Sequence, residues 1–260
     1  MADDIFIPLT DPRACFVDYL LGGYHVQAPR FLVERHPRPC WEQARFQSIE
    51  AHLRPGDILV DVGAEQGQQS AIYARFIGGG ENMVLVEPCP DVWPNIMATW
   101  RANGLATPLA TWCGFAGVKT ESAAQVDFED GYRDGWPLCA YREQLLDATK
   151  FRYLSEQQSS TPTVSLDDFL GERGIVPAAL TIDVEGYEPR VLEGAIETIK
   201  AASPLIWCSL HESENNILRR HEGGDPVTDV HWLMRELGYQ GTHIATDHES
   251  HWIFQPVDRR

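Results

Sequence analysis

Apolar residues along this chain fall into short blocks, separated by amphipathic stretches and by turns carrying glycine or proline. Residues 41–53 set Trp41, Ala44, Arg45, Ile49 and Leu53 near one face of a helix, which Pro55 and Gly56 end. Residues 57–63 (DILVDVG) follow as a compact apolar run closing on a glycine, the pattern of a buried parallel strand feeding a turn. The alternation predicts a helix at 68–76, a strand at 83–87, a helix at 91–103 and a strand at 107–113. It resumes after 162 with a helix at 165–171, a strand at 179–184, a helix at 188–201, a strand at 205–210 and a helix at 227–237. Two short strands, 239–245 and 251–255, close the chain. Residues 1–40 are broken by Pro8, Pro12, Pro29, Pro37 and Pro39 and read as irregular, with a short helix near 14–21.

Strands alternating with helices imply an α/β fold, a doubly wound and mostly parallel sheet covered on both faces. The last two strands lack an intervening helix, so they should pair antiparallel as a C-terminal edge hairpin. One domain is expected over residues 1–260, with 1–54 as an N-terminal helical or irregular segment and 114–162 as a lid-like insertion. Phe128, Tyr132, Trp136, Tyr141, Phe151 and Tyr153 lie in that insertion. They suit stacking on a flat or sugar-like ligand, and equally suit packing the insertion onto the sheet.

The first strand-to-helix junction carries candidate chemistry. Residues 60–67 read VDVGAEQG, and Gly63 and Gly67 allow a tight turn and a close ligand approach. A nicotinamide-nucleotide loop carries a third glycine and aims its helix at a pyrophosphate. Here Asp61 and Glu65 flank the glycines, and their charge would repel a diphosphate. The same charge favours the ammonium and sulfonium groups of S-adenosylmethionine. Glu87, at the end of the second strand, is placed to take ribose hydroxyls.

Composition narrows the partners. The 260 residues are 43% hydrophobic and 10% aromatic, an ordinary globular balance. No apolar run is long enough for a membrane helix, and the acidic N-terminus lacks the pattern of a secretory signal. The net charge of −17 argues against nucleic acid and anionic membranes as partners. Cys15, Cys40, Cys89, Cys113, Cys139 and Cys208 show no metal-binding or disulfide spacing, which suggests reduced thiols and a cytoplasmic protein. The sequence specifies no oligomeric state.

A second cluster falls at the same edge of the sheet. Asp183 and Glu185 alternate onto one face at the end of a strand, and the next strand ends in His211 and Glu212. A hydroxyl acceptor needs a base to take its proton. His211 suits that role near neutral pH, with Asp183 or Glu185 orienting it or the acceptor. Other uses remain open: Glu185 and Glu188 as helix caps, or His211 as a satisfied strand-end residue. Asp183, Glu185, His211 and Glu212 could instead hold a hard cation, and His243, His248 and His251 invite a zinc reading, but no metal is assigned.

Several segments resemble the FkbM family of methyltransferases. They are VDVGAEQGQQS (60–70), VEPCP (86–90), VSLDDFL (164–170), TIDVEGYE (181–188), VLEGA (191–195) and LGY (237–239). The resemblance implies a class I methyltransferase-like Rossmann fold that transfers a methyl group from S-adenosylmethionine to a hydroxyl of a sugar, glycan or small metabolite. It places donor contacts at Gly63, Gly67, Ser70 and Glu87. The chain departs from the family at Glu65, where Asn is usual, and at Thr181, where Lys or a similar residue is usual. Two other classes stay in view: a nicotinamide-nucleotide oxidoreductase, disfavoured by Asp61, Glu65 and the missing glycine, and a non-catalytic protein that keeps the fold.

Overall fold

A computed structural model describes residues 6–8, 15–35, 40–89, 92–121, 140–142, 162–211 and 225–257. Expectations for Glu212, and for the insertion between 122 and 139 and between 143 and 161, lie outside the described residues. So do those for the Tyr141 side chain.

The N-terminal segment is more ordered than its prolines suggest. Strand β1 (Phe6–Pro8) leads to β2 (Phe16–Leu21) and β3 (Tyr24–Pro29), which pair as an antiparallel hairpin. The short helix expected near 14–21 is therefore a strand. Tyr19 and Leu21 alternate into the core, and Gly22 and Gly23 form a two-residue turn with φ of 55° and 88°. Positive φ at both turn residues matches the twist of a tight hairpin. Helices α1 (Arg30–Arg35) and α2 (Gln43–His52) follow.

The main sheet begins at β4 (Leu59–Val62), followed by α3 (Gln68–Phe76), β5 (Met83–Val86), α4 (Trp93–Ala102) and β6 (Ala110–Trp112). Short strands β7 (Phe115–Ala116) and β9 (Thr163–Val164) pair in parallel and clasp the two ends of the insertion, while β8 (Ala140–Arg142) within it pairs with β1. The rest runs α5 (Leu166–Arg173), β10 (Ala179–Ile182), α6 (Glu188–Glu193), α7 (Ile196–Ala202), β11 (Leu205–Leu210), α8 (Pro226–Glu236), β12 (Tyr239–Thr246) and β13 (Ser250–Pro256). A single helix over 188–201 was expected; it breaks at Gly194, where a β-carbon would be driven into the carbonyl oxygen of Gly117.

Seven strands form the sheet in the order β12-β13-β11-β10-β4-β5-β6. The five from β11 to β6 are parallel, and β13 and β12 add an antiparallel pair at one edge. This is the doubly wound sheet with an edge hairpin that the sequence pattern implies. Alternate residues face alternate sides. Val60, Val84, Leu180 and Ile206 pack in one cluster, and Leu59, Leu85, Ala179 and Trp207 in the other with Phe46, Ile49 and Tyr73. From β4 the chain winds toward β5, but from β10 it winds the other way toward β11. The crevice between the carboxyl ends of β4 and β10 is where such sheets bind ligands.

Candidate functional site

The hinge after β4 is built around contacts that only glycine permits. Gly63 has φ of 93° and donates its N–H to the carbonyl of Val86 at 2.9 Å. A β-carbon there would be driven into the carbonyl oxygen of Asp183, so the loops after β4 and β10 touch through bare backbone. Gly67, with φ of 79°, opens α3 against Ile96. Between them Glu65 adopts φ of 48°, a left-handed conformation that Asn tolerates better than Glu. The Glu65 N–H donates to Glu87 Oε2 at 3.0 Å, and the Cys89 N–H to Glu87 Oε1 at 2.9 Å. Glu87 thus ties the β4 loop to the β5 loop.

Asp61 and Ser70 sit beneath this hinge. Asp61 is buried, and its two oxygens accept from the Ser70 hydroxyl and, at 2.7 Å, from the Thr181 hydroxyl. Burial pushes the Asp61 carboxyl up, against the pull of those two hydrogen bonds. The departure at Thr181 therefore has a local reason: a short hydroxyl on β10 serves the carboxylate on β4. Gly63, Glu65, Gly67 and Glu87 line the hinge itself, whereas Asp61 and Ser70 bond each other in its support.

Charged residues from distant parts of the chain meet at the ends of β10 and β11. Arg45 of α2 is fully buried, and its Nη1 donates to Glu42 Oε2 at 3.0 Å, Asp183 Oδ2 at 3.1 Å and Ser209 Oγ at 2.9 Å. Asp61, Thr181 and Ser209 share one sheet face by strand alternation, and this face receives α2. Burial pushes the Glu42 carboxyl up; Arg45 opposes this, and Asp183 and Glu249 add to it.

His211 follows β11 and is 8% exposed. Its Nδ1 lies 2.7 Å from Glu188 Oε1, an oxygen that also accepts from the Gly186 N–H at 2.9 Å. Its Nε2 faces Glu249 Oε1 at 3.0 Å, Glu185 Oε2 at 3.4 Å and Asp183 Oδ1 at 3.7 Å. Burial alone would lower the imidazole pKa, but the hydrogen bond to Glu188, the close approach of Glu249 and the charge of Asp183 outweigh it. The result is a pKa pushed up to about 12. Glu249 is held far below the ordinary carboxylate range, because His211 and His248 close beside it overcome its burial. His211 thus stands with carboxylates at both ring nitrogens.

Sequence reading brought Asp183, Glu185 and His211 together, and the structure does the same. It missed Glu42, Arg45 and Glu249. One signal was present: Arg45 occupies a position on the apolar face of α2, where an unpaired charge would be costly. The histidines near the C-terminus separate. His243 is exposed and bonds Thr246 at 2.9 Å. His248 stacks on Trp41 with ring centroids 3.7 Å apart, and buried His251 bridges Ser209 and Asp247.

The Methyltransferase FkbM domain family matches residues 61–240. The chain belongs to the FkbM methyltransferase family. The match spans the hinge, Glu87, Asp183 and His211, while Glu42, Arg45 and Glu249 come from the flanks. The chain is similar to the solved methyltransferase FkbM from Methylobacillus flagellatus, with 17% identity and a TM-score of 0.46 over 77% of this chain and 43% of that one. It is also similar to M. jannaschii TYW2 in complex with AdoMet, at 11% identity and a TM-score of 0.46, covering 94% and 88% of the two chains. The B. subtilis tRNA methyltransferase TrmK matches at 11% identity and a TM-score of 0.42, over 83% of this chain and 66% of that one. No curated protein matches the sequence.

As an FkbM methyltransferase the chain uses S-adenosylmethionine as its donor. The hinge fits that cofactor: Gly63 and Gly67 keep side chains off the turn, and Glu65 and Glu87 place negative charge beside it. Among the described residues, no helix is long and apolar enough to cross a membrane.

Proposed function

We propose that this protein transfers the methyl group of S-adenosylmethionine to a hydroxyl of a small acceptor, a sugar, a glycan or a comparable metabolite. One observation carries the reading: Asp183 belongs to both halves of the site. Its carbonyl oxygen walls the glycine hinge, and its side chain reaches the His211 cluster, with Oδ1 3.7 Å from Nε2. An acceptor held by that cluster would lie beside a donor held by the hinge.

Bound there, S-adenosylmethionine would supply an electrophilic methyl group and leave as a neutral thioether. Gly63, Gly67 and Glu65 would admit its methionine portion, and Glu87 its ribose. Asp61, Ser70 and Thr181 would brace the hinge from below. On the acceptor side, Asp183 or Glu185 takes the hydroxyl proton and aligns the oxygen with the methyl carbon, and placement alone supplies much of the acceleration. His211, held by Glu188, stands beside those carboxylates. We assign residues 1–260 to one domain, with 114–162 as an insertion near whose two ends β7 and β9 pair. Among the described residues Cys15, Cys40, Cys89, Cys113 and Cys208 form no disulfide, which fits a cytoplasmic location.

The −17 charge favours a small acceptor over a nucleic acid. Radiolabelled donor incubated with a panel of sugars, other small hydroxyl compounds and bulk tRNA tests this directly. Label should enter a small hydroxyl compound; label entering tRNA alone would overturn the acceptor class. With the acceptor known, Asp183→Asn should lower kcat by about 10²–10⁴-fold, the usual contribution of a positioned acid or base. An unchanged kcat would remove Asp183 from the chemistry.

A further inference from the structure

We propose that Asp183, His211 and Glu249, with Glu185 beside them, form a binding site for a divalent metal ion at the carboxyl ends of β10 and β11. The ligand atoms come from three separate elements: the loop after β10, the residue after β11 and the turn between β12 and β13. One atom from each of Asp183, His211 and Glu249 lies within 4.8 Å of the others. The spacings suit a shared ion. Ligand atoms about 2.1 Å from one metal lie about 3.0 Å apart along an octahedral edge and about 3.4 Å apart along a tetrahedral one. His211 Nε2 stands 3.0 Å from Glu249 Oε1, 3.4 Å from Glu185 Oε2 and 3.7 Å from Asp183 Oδ1.

A second, independent observation points the same way. His211 Nε2 is buried and aimed into these carboxylates, yet it makes no hydrogen bond of acceptable geometry, and Glu249 Oε2 beside it is also buried without a partner. The opposite ring nitrogen is pinned by Glu188, which is itself fixed by the Gly186 N–H. A carboxylate that orients an imidazole through one nitrogen and leaves the other for a metal is the usual outer-shell arrangement of histidine ligands. Charge supplies a third reason. Glu42, Asp183, Glu185, Glu188 and Glu249 crowd this pocket, and among the described residues Arg45 is the permanent cation in contact with them. A dication corrects that imbalance where the donor's positive groups, at the β4 hinge, would not reach all of it.

Imidazole with carboxylates and no thiolate suits a first-row divalent ion, and hard, paramagnetic Mn²⁺ is a usable probe of such a site. Asp183 thereby joins donor hinge, metal and acceptor, and an ion there would hold the acceptor oxygen and ease loss of its proton. This catalytic use rests on the methyltransferase reading; the binding itself does not.

The test is titration of chelator-treated protein with Mn²⁺, without donor or acceptor, following loss of the free-ion paramagnetic signal. One ion per chain should bind the wild type. Glu249→Gln and His211→Ala should each weaken binding by at least about 100-fold, and Glu188→Gln by about 10–100-fold as an outer-shell change. His243→Ala should leave it unchanged. If His211→Ala fails to fold, Glu249→Gln decides alone, because it keeps shape and removes only charge. No binding by the wild type at millimolar Mn²⁺, or equal binding by the Glu249→Gln variant, overturns the site. Metal binding by a protein that methylates no small hydroxyl compound in the labelled-donor assay would count against the proposed acceptor and not against the ion.

Discussion

Arg45→Met should destabilise the fold by about 3–5 kcal/mol and abolish methyl transfer. The guanidinium is 1% exposed and holds Glu42, Asp183 and Ser209 at once. It also lies 5.9 Å from the ring centre of Tyr73, within reach of a cation–π attraction. Removing it leaves carboxylates facing each other in a dry interior, where an unpaired charge is the expensive case. Glu42 would relieve part of the cost by taking up a proton, since burial already pushes its carboxyl up. The double variant Arg45→Met with Glu42→Gln should therefore regain stability over the single change, but not activity, because Asp183 stays unheld. Urea unfolding of the two variants measures the difference. A loss below about 1 kcal/mol for Arg45→Met, the range of an exposed ion pair, would show that the guanidinium is not buried against these carboxylates.

Gly63→Ala should lower stability by about 2–4 kcal/mol and weaken S-adenosylmethionine binding by more than about 100-fold. Two causes add. The φ of 93° is unfavourable for any residue with a β-carbon, and that atom would be driven into the carbonyl oxygen of Asp183. The loops after β4 and β10 would have to part, and the crevice walls with them. Gly104 is the matched control: its φ is 66°, but a β-carbon there meets nothing within 4 Å. Gly104→Ala should cost about 1 kcal/mol, the backbone term alone, and leave donor affinity intact. Thermal melting and donor titration on both variants separate strain from collision. Equal effects at the two glycines would contradict the close approach of the two loops.

The parts of this molecule legible in the sequence are those encoded locally. The parallel strands carry continuous apolar runs, and Gly63, Gly67 and Glu87 stand at fixed offsets from strand ends. The β2–β3 hairpin was misread because prolines on either side suggested irregular chain, while the decisive feature was the Gly22-Gly23 turn between alternating apolar residues. The charged cluster was only half legible. Asp183, Glu185 and His211 share a sheet edge by topology, but Arg45 reaches Asp183 across 138 residues and Ser209 across 164. The Glu42 N–H reaches Asp247 across 205. Such pairings follow from packing, which spacing along the chain does not express. The same limit applies to His211: its residue type suggests a base, while Glu249, which faces its Nε2, comes from a distant turn.

An acidic glycine hinge should take a cationic nucleoside and refuse a diphosphate. Calorimetric titration of the wild type and of Glu87→Ala, with S-adenosylmethionine and with NAD, tests it most directly. The wild type should bind S-adenosylmethionine saturably, the variant should lose at least about tenfold, and NAD should give no heat. Binding of NAD in preference to S-adenosylmethionine, or donor affinity indifferent to Glu87, would contradict it.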